Sequence, residues 1–171
     1  AVAVVRRLVG EVEDVAGAID KLGGAPRAEA QQKWNEVIGH ANQLASPRFA
    51  AITEAAGRAS ARLETDEAMQ FVADVFWFSI EFGVIAEDGE TKAYGAGILS
   101  SYGEMDEFGH MDIRPLDLHA MGTLNYDITA YQPVLFRAES LDHLEDVVGA
   151  FCAAVDAALA ARLRAEATAT V

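Results

Sequence analysis

Between Thr65 and Gly83 the chain runs through Met69, Phe71, Val72, Val75, Phe76, Trp77, Phe78, Ile80 and Phe82, apolar residues at helical spacing that leave almost no polar face. A helix of this kind is stable only when buried. Left at a surface, Phe71, Val75, Phe76, Trp77, Phe78 and Phe82 would form a large adhesive patch. The segment therefore predicts a central helix around which the rest of the domain packs. Thr65-Asp66-Glu67 supplies its start signal, with threonine as the capping residue. Glu81 stands near its far end, between Ile80 and Phe82. An ionised carboxylate in that setting is costly unless something positive pairs with it, and no arginine shares the helix. Two readings follow: a salt bridge at the helix end, or a metal ligand.

The flanking segments are also mostly helical. Apolar residues at 2, 5, 9, 12, 16 and 19 draw one stripe along a helix from Val2 to Leu22, stopped by Gly23, Gly24 and Pro26. A second helix is expected from about Arg27 toward His40. A third follows Ser46-Pro47, continuing through Phe49, Ile52 and Ala56 to about Leu63. Glu87-Asp88-Gly89-Glu90 reads as a turn between an apolar segment ending at Ile85 and a short strand around Lys92 to Tyr94. Pro115 is expected to open a short helix toward Met121, and residues 128 to 137 to be extended. Ser140 then caps a final helix from Leu141 to about Arg164, with Leu144, Val147, Val148, Phe151 and Val155 facing inward. The fold class is mainly α with a few short β-strands, and residues 1–171 are expected to form a single domain.

Charge and cysteine content narrow the function. A net charge of −14 with 13 lysines and arginines leaves no basic stripe for a phosphate backbone or an anionic membrane surface. The single cysteine, Cys152, forms no internal disulfide, and the chain shows neither an 18-residue apolar run nor a leader pattern. The expectation is a cytoplasmic protein whose partners are small molecules rather than nucleic acid or membrane.

His40 closes the run Trp34-Asn35-Glu36-Val37-Ile38-Gly39-His40. A lone histidine is ordinarily a surface or hydrogen-bonded residue, but beside an unpaired Glu81 it becomes a candidate ligand. Here the residues reach a resemblance. Phe76-Trp77-Phe78-Ser79-Ile80-Glu81-Phe82-Gly83, then Lys92-Ala93-Tyr94-Gly95-Ala96-Gly97-Ile98-Leu99-Ser100-Ser101-Tyr102-Gly103-Glu104, then Tyr131-Gln132-Pro133-Val134-Leu135-Phe136 and Ala138-Glu139-Ser140 resemble the pterin-dependent phenylalanine, tyrosine and tryptophan hydroxylases in order and spacing. The likeness covers residues 35 to about 150. It implies that family's catalytic domain, shortened at the N-terminus.

The resemblance implies a non-haem Fe(II) held by two histidines and one glutamate, with open positions for dioxygen and substrate, and a tetrahydropterin co-reductant. Glu36, Gly39 and His40 match the family's histidine motif, and Glu81 matches its carboxylate ligand; Asn35 stands where the first histidine belongs. An amide oxygen is a weaker donor to Fe(II) than imidazole, so iron bound weakly or not at all is the expectation. His110 and His119 are the nearby replacements, with no spacing to recommend them. The catalytic candidates are Glu81 and Glu36, the latter facing the pterin. Trp77, Gly97 and Ser100 line the aromatic substrate pocket, with Ser100 hydrogen-bonding toward the metal-site histidine position. Residues 1–34 match none of the family's substrate-arginine or pterin-stacking segments, although Arg6, Arg7 and Arg27 are available cations.

Three functional expectations result. The first is an iron- and tetrahydropterin-dependent monooxygenase that uses O2 to hydroxylate phenylalanine, tyrosine or a related aromatic acid. The second is a repurposed relative that binds an aromatic ligand or performs metal-free chemistry with Glu81 as general base. The third is a shortened or altered chain whose first helix covers core surface or pairs two copies into a homodimer through its apolar stripe.

Overall fold

The computed structural model describes residues 35–168, which belong to one compact unit beginning at Asn35. The expected helix over residues 2–22, its dimer stripe and the first part of the 27–40 helix lie outside the described residues. Within them the architecture is helical around a small mixed sheet of order β2-β1-β4-β3. Strands β1 (Val84–Glu87) and β2 (Glu90–Ala93) form an antiparallel hairpin closed by Asp88 and Gly89, both at positive φ. Strand β4 (Val134–Ala138) pairs parallel to β1 on one side and to β3 (Asp112–Pro115) on the other.

The apolar segment does become the centre of the domain. Its helix spans Asp66–Phe76 and continues as a π-helical turn over Trp77–Glu81. Phe71, Val75, Phe78 and Ile80 are almost fully buried and pack with Phe136, Leu144 and Phe151 in the main core. Phe82 belongs to a second, smaller cluster with Val84, Ile98 and Leu135. Thr65 caps this helix as expected, its hydroxyl accepting the Ala68 N–H at 3.3 Å. Thr65→Ala should lower stability by about 1 kcal/mol, measurable as a shift in the urea midpoint with unchanged slope.

Several expectations are corrected. The π turn was not foreseen; it inserts extra backbone just where Glu81 is presented, a placement typical of functional sites. Pro115 ends strand β3 instead of opening a helix, and Asp117 caps the Leu118–Met121 turn with its carboxylate. Of the expected extended segment only the end is strand, within Val134–Ala138. Ser140 does cap, through the His143 N–H, but the final helix is two. The first stretch ends at Ala154, Val155 turns extended, and a new helix runs Ala157–Thr168 with Asp156 accepting the Leu159 N–H at 2.7 Å. No glycine or proline marks that break; a short capping aspartate is its only sign. Leu144, Val148, Phe151 and Val155 are buried as expected, while Val147 is half-buried. Cys152 is free and buried. Among the described residues no helix is long and apolar enough to cross a membrane.

Candidate functional site

Two segments about forty residues apart in the chain meet at one point. Asn35 opens, and His40 closes, a π-helical turn over Asn35–His40; Glu81 closes the other, over Trp77–Glu81. His40 Nε2 lies 2.7 Å from Glu81 Oε1, with side chains 32% and 12% exposed. Asn35 is drawn into the same cluster from both sides. Its Oδ1 accepts the Ser100 hydroxyl at 3.0 Å, and its amide hydrogen-bonds the Glu81 carboxylate. Burial pushes the Glu81 pKa above the ordinary carboxylate range, opposed by the His40 charge and by the Asn35 hydrogen bond.

The turn carrying Asn35 and His40 sits close against the Ala96–Leu99 helix because position 39 is glycine. A Cβ there would stand 2.6 Å from the Ala96 carbonyl and 2.9 Å from Asn35 Oδ1. Gln43, one helical turn beyond His40, is buried and ties the two halves of the site together. Its amide donates to the Ile80 carbonyl at 3.0 Å and to the Tyr94 carbonyl at 2.7 Å, holding the backbone just before Glu81. Sequence reasoning missed Gln43; its place three residues after His40 on the inward face was the available signal.

Trp77 is held on three sides. It stacks on Tyr126 at 4.8 Å and 13°, lies 4.6 Å from the Phe82 ring, and donates its indole N–H to Gln132 Oε1 at 3.2 Å. Gly97 also meets Phe82, where a Cβ would come within 2.7 Å of the ring. Trp77 and Gly97 are therefore linked through Phe82, and Ser100 joins the cluster through Asn35. Glu36 follows Asn35 with its side chain exposed. Tyr126 and Gln132 were not singled out from sequence as site residues, although Gln132 lies inside one of the quoted runs.

Gln132 in turn depends on Glu104, which is 4% exposed. One carboxylate oxygen accepts the Gln132 N–H at 3.1 Å, and the other has no partner among the described residues. Burial raises the Glu104 pKa, with the Gln132 hydrogen bond opposing. An acid whose pKa is raised on folding favours the native state while protonated, so its contribution is present at low pH and lost as pH rises through the folded value. The unfolding midpoint should therefore fall as pH rises from about 4.3. Glu104→Gln should flatten that fall; urea midpoints of both chains across a pH series, compared as a difference, would test it.

As a metal site the donor set is incomplete. His40 and Glu81 offer an imidazole nitrogen and a carboxylate oxygen from facing elements, at a separation suited to neighbouring ligands of one ion. Asn35 offers only an amide oxygen, which already accepts the Ser100 hydroxyl and is a weaker donor to Fe(II) than an imidazole nitrogen. No third histidine, cysteine, aspartate or glutamate joins them among the described residues. His110 ends an exposed 3₁₀ turn and His119 lies in the Asp117-capped turn, so neither serves as the replacement. Two cavities, of about 370 and 300 Å³, do not include Asn35, His40 or Glu81 in their walls.

Comparison with known proteins shows the family. The family described as "Biopterin-dependent aromatic amino acid hydroxylase" matches residues 29–170, a longer span than residues 35 to about 150. A phenylalanine 3-hydroxylase of Streptomyces coeruleorubidus is 52% identical over 117 residues, 68% of this chain and 42% of the relative. A tyrosine 3-monooxygenase of Bos taurus is 36% identical over 123 residues, 71% of this chain and 25% of the relative. Among solved structures, the apo cold-active phenylalanine hydroxylase of Colwellia psychrerythraea 34H superposes with a TM-score of 0.67 at 29% identity, covering 80% of this chain and 51% of the other. The Chromobacterium violaceum phenylalanine hydroxylase with bound iron(III) and 7,8-dihydrobiopterin gives 0.62 at 28% identity, covering 70% and 44%. The chain thus spans about half, or less, of the length of these relatives.

Proposed function

This chain belongs to the biopterin-dependent aromatic amino acid hydroxylase family, and on that premise we propose that it forms the metal-side part of a monooxygenase site that hydroxylates phenylalanine, at ring position 3. The convergence of His40, Glu81, Asn35 and Ser100 on one point carries this reading. The choice of phenylalanine and of ring position is supported by the name of the Streptomyces relative and by its 52% identity.

His40 and Glu81 would be the ligands this chain offers to Fe(II), and bound iron with a tetrahydropterin would supply the oxidising chemistry. The protein's own part is positioning and exclusion of water. Trp77, fixed by Tyr126, Phe82 and Gln132, offers a rigid aromatic wall for the substrate ring. Gly97 keeps the Phe82 ring close by leaving out a side chain. Ser100 orients residue 35, and in this reading the exposed Glu36 beside it would accept N–H groups of the pterin.

One observation favours a second reading. Position 35 carries a carboxamide that hydrogen-bonds Glu81, and Glu81 is held above its ordinary pKa. That combination suits a general base in a metal-free pocket for an aromatic ligand. The discriminating experiment supplies Fe(II), tetrahydropterin, O2 and phenylalanine to the chain and to its Asn35→His variant, and identifies products by chromatography. Iron-dependent 3-hydroxyphenylalanine, strongest with the variant, is expected. Hydroxylation at another ring position would overturn that detail, and no hydroxylated product from either chain would leave the metal-free reading.

A further inference from the structure

Asp74 lies on the central apolar helix, two turns before Glu81, and is 8% exposed. One of its oxygens accepts the Gln70 amide at 2.7 Å and the Tyr126 hydroxyl at 3.1 Å. The other faces Arg164 Nη2 across 3.8 Å, beyond hydrogen-bond reach. Arg164 leans over the Phe71 ring, 5.7 Å from its centroid, and its Nε and Nη2 are buried with no acceptor among the described residues. The two charges border a cavity of about 370 Å³, also lined by Gln70, Thr123, Asn125 and Tyr126. Neither His40 nor Glu81 contributes to it.

The Arg164 side chain is partly exposed, but two of its nitrogens are buried without an acceptor among the described residues, and a buried donor left unmatched is unfavourable. The deficits define the ligand that would relieve them. Arg164 has two adjacent donors unsatisfied, the fork that takes a carboxylate in bidentate fashion. Asp74 has an oxygen facing the same space, a partner for an ammonium group. A plain anion would meet the Asp74 carboxylate, and a plain cation would meet Arg164. The cavity falls at the small end of ligand sites, and polar side chains dominate its wall.

We propose that this cavity, between Asp74, Tyr126 and Arg164, is a binding site for a free, small or polar α-amino acid, with its carboxylate on Arg164 and its ammonium group on Asp74. The site is separate from the one assigned to the aromatic substrate and stands whether or not the hydroxylase reading holds. It also has a route to report occupancy. The Tyr126 hydroxyl bonds Asp74 while its ring stacks on Trp77, so a ligand on Asp74 alters the surroundings of the indole.

The test uses the full chain carrying Trp34→Phe, which leaves Trp77 as the sole tryptophan. L-serine and L-alanine are titrated by calorimetry and by Trp77 fluorescence, beside propionate, which lacks the ammonium group, and ethylamine, which lacks the carboxylate. One saturable amino acid site per chain is expected, with propionate and ethylamine at least tenfold weaker. Binding should persist in a His40→Ala, Glu81→Gln double variant and fall at least tenfold in Arg164→Met. Arg164→Lys, which keeps the charge but loses the fork, should weaken it by a smaller factor and serves if Arg164→Met does not fold. Equal binding of propionate, loss of binding only in the His40 and Glu81 variant, or no saturable binding by the folded parent chain would each overturn the proposal.

Discussion

Asn35→His is expected to raise Fe(II) affinity by about 100-fold, or about 2.7 kcal/mol, in anaerobic titrations. The gain has two sources. An imidazole nitrogen is a better donor to Fe(II) than an amide oxygen, and its arrival completes a facial set of two histidines and one carboxylate. The substitution also removes the amide N–H that now bonds Glu81, freeing that carboxylate. Ser100, 3.0 Å from the residue 35 side chain, stays in place as an outer partner. Equal affinities for the two chains would mean that His40 and Glu81 alone govern binding, and that position 35 is not part of the ligand set.

Gly95→Ala is expected to destabilise the chain by about 3 kcal/mol, and to weaken iron binding by the Asn35→His background as well. A Cβ at position 95 would stand 2.4 Å from the Glu81 carbonyl oxygen and 2.7 Å from the Gly83 nitrogen. Both obstacles are backbone, so no side chain can rotate away. The Gly95 and Tyr94 N–H groups both donate to the Gly83 carbonyl, which fixes this close approach. Relieving the clash must therefore shift the segment that presents Glu81. Gly57→Ala is the contrasting control: position 57 lies inside the Pro47–Ser60 helix with open space around its Cβ, so alanine there should stabilise by about 0.5–1 kcal/mol. Urea unfolding of both variants, with iron titration of the first, checks the pair; a neutral Gly95→Ala would show that the backbone near Glu81 yields without cost.

Signals within a few residues of one another were legible in the chain. The Thr65 and Ser140 caps, the Ser46-Pro47 start and the Asp88-Gly89 turn stand where the sequence indicates. Where the expectations failed, two local descriptions competed. The stretch from Leu141 to Arg164 keeps its helical apolar spacing, yet Val155 turns extended and Asp156 restarts the helix. Pro115 suits both a helix start and the end of an edge strand, and pairing of β3 with β4 decided for the strand.

The sequence by itself determined the family, the buried central helix, and His40 and Glu81 as the pair to watch, since these rest on residue type and short-range order. Only the tertiary structure decided what Asn35 does, that Gln43 and Gln132 hold the site's backbone and its tryptophan, and that Asp74 and Arg164 face one cavity. Each of those facts depends on groups distant in the chain meeting within hydrogen-bond or ion-pair reach. Hydrophobic pattern, which dominates the sequence signal, sets which faces are buried but does not choose the polar partners inside them. That choice is made when packing brings the elements together and every buried donor and acceptor must find, or lack, its match.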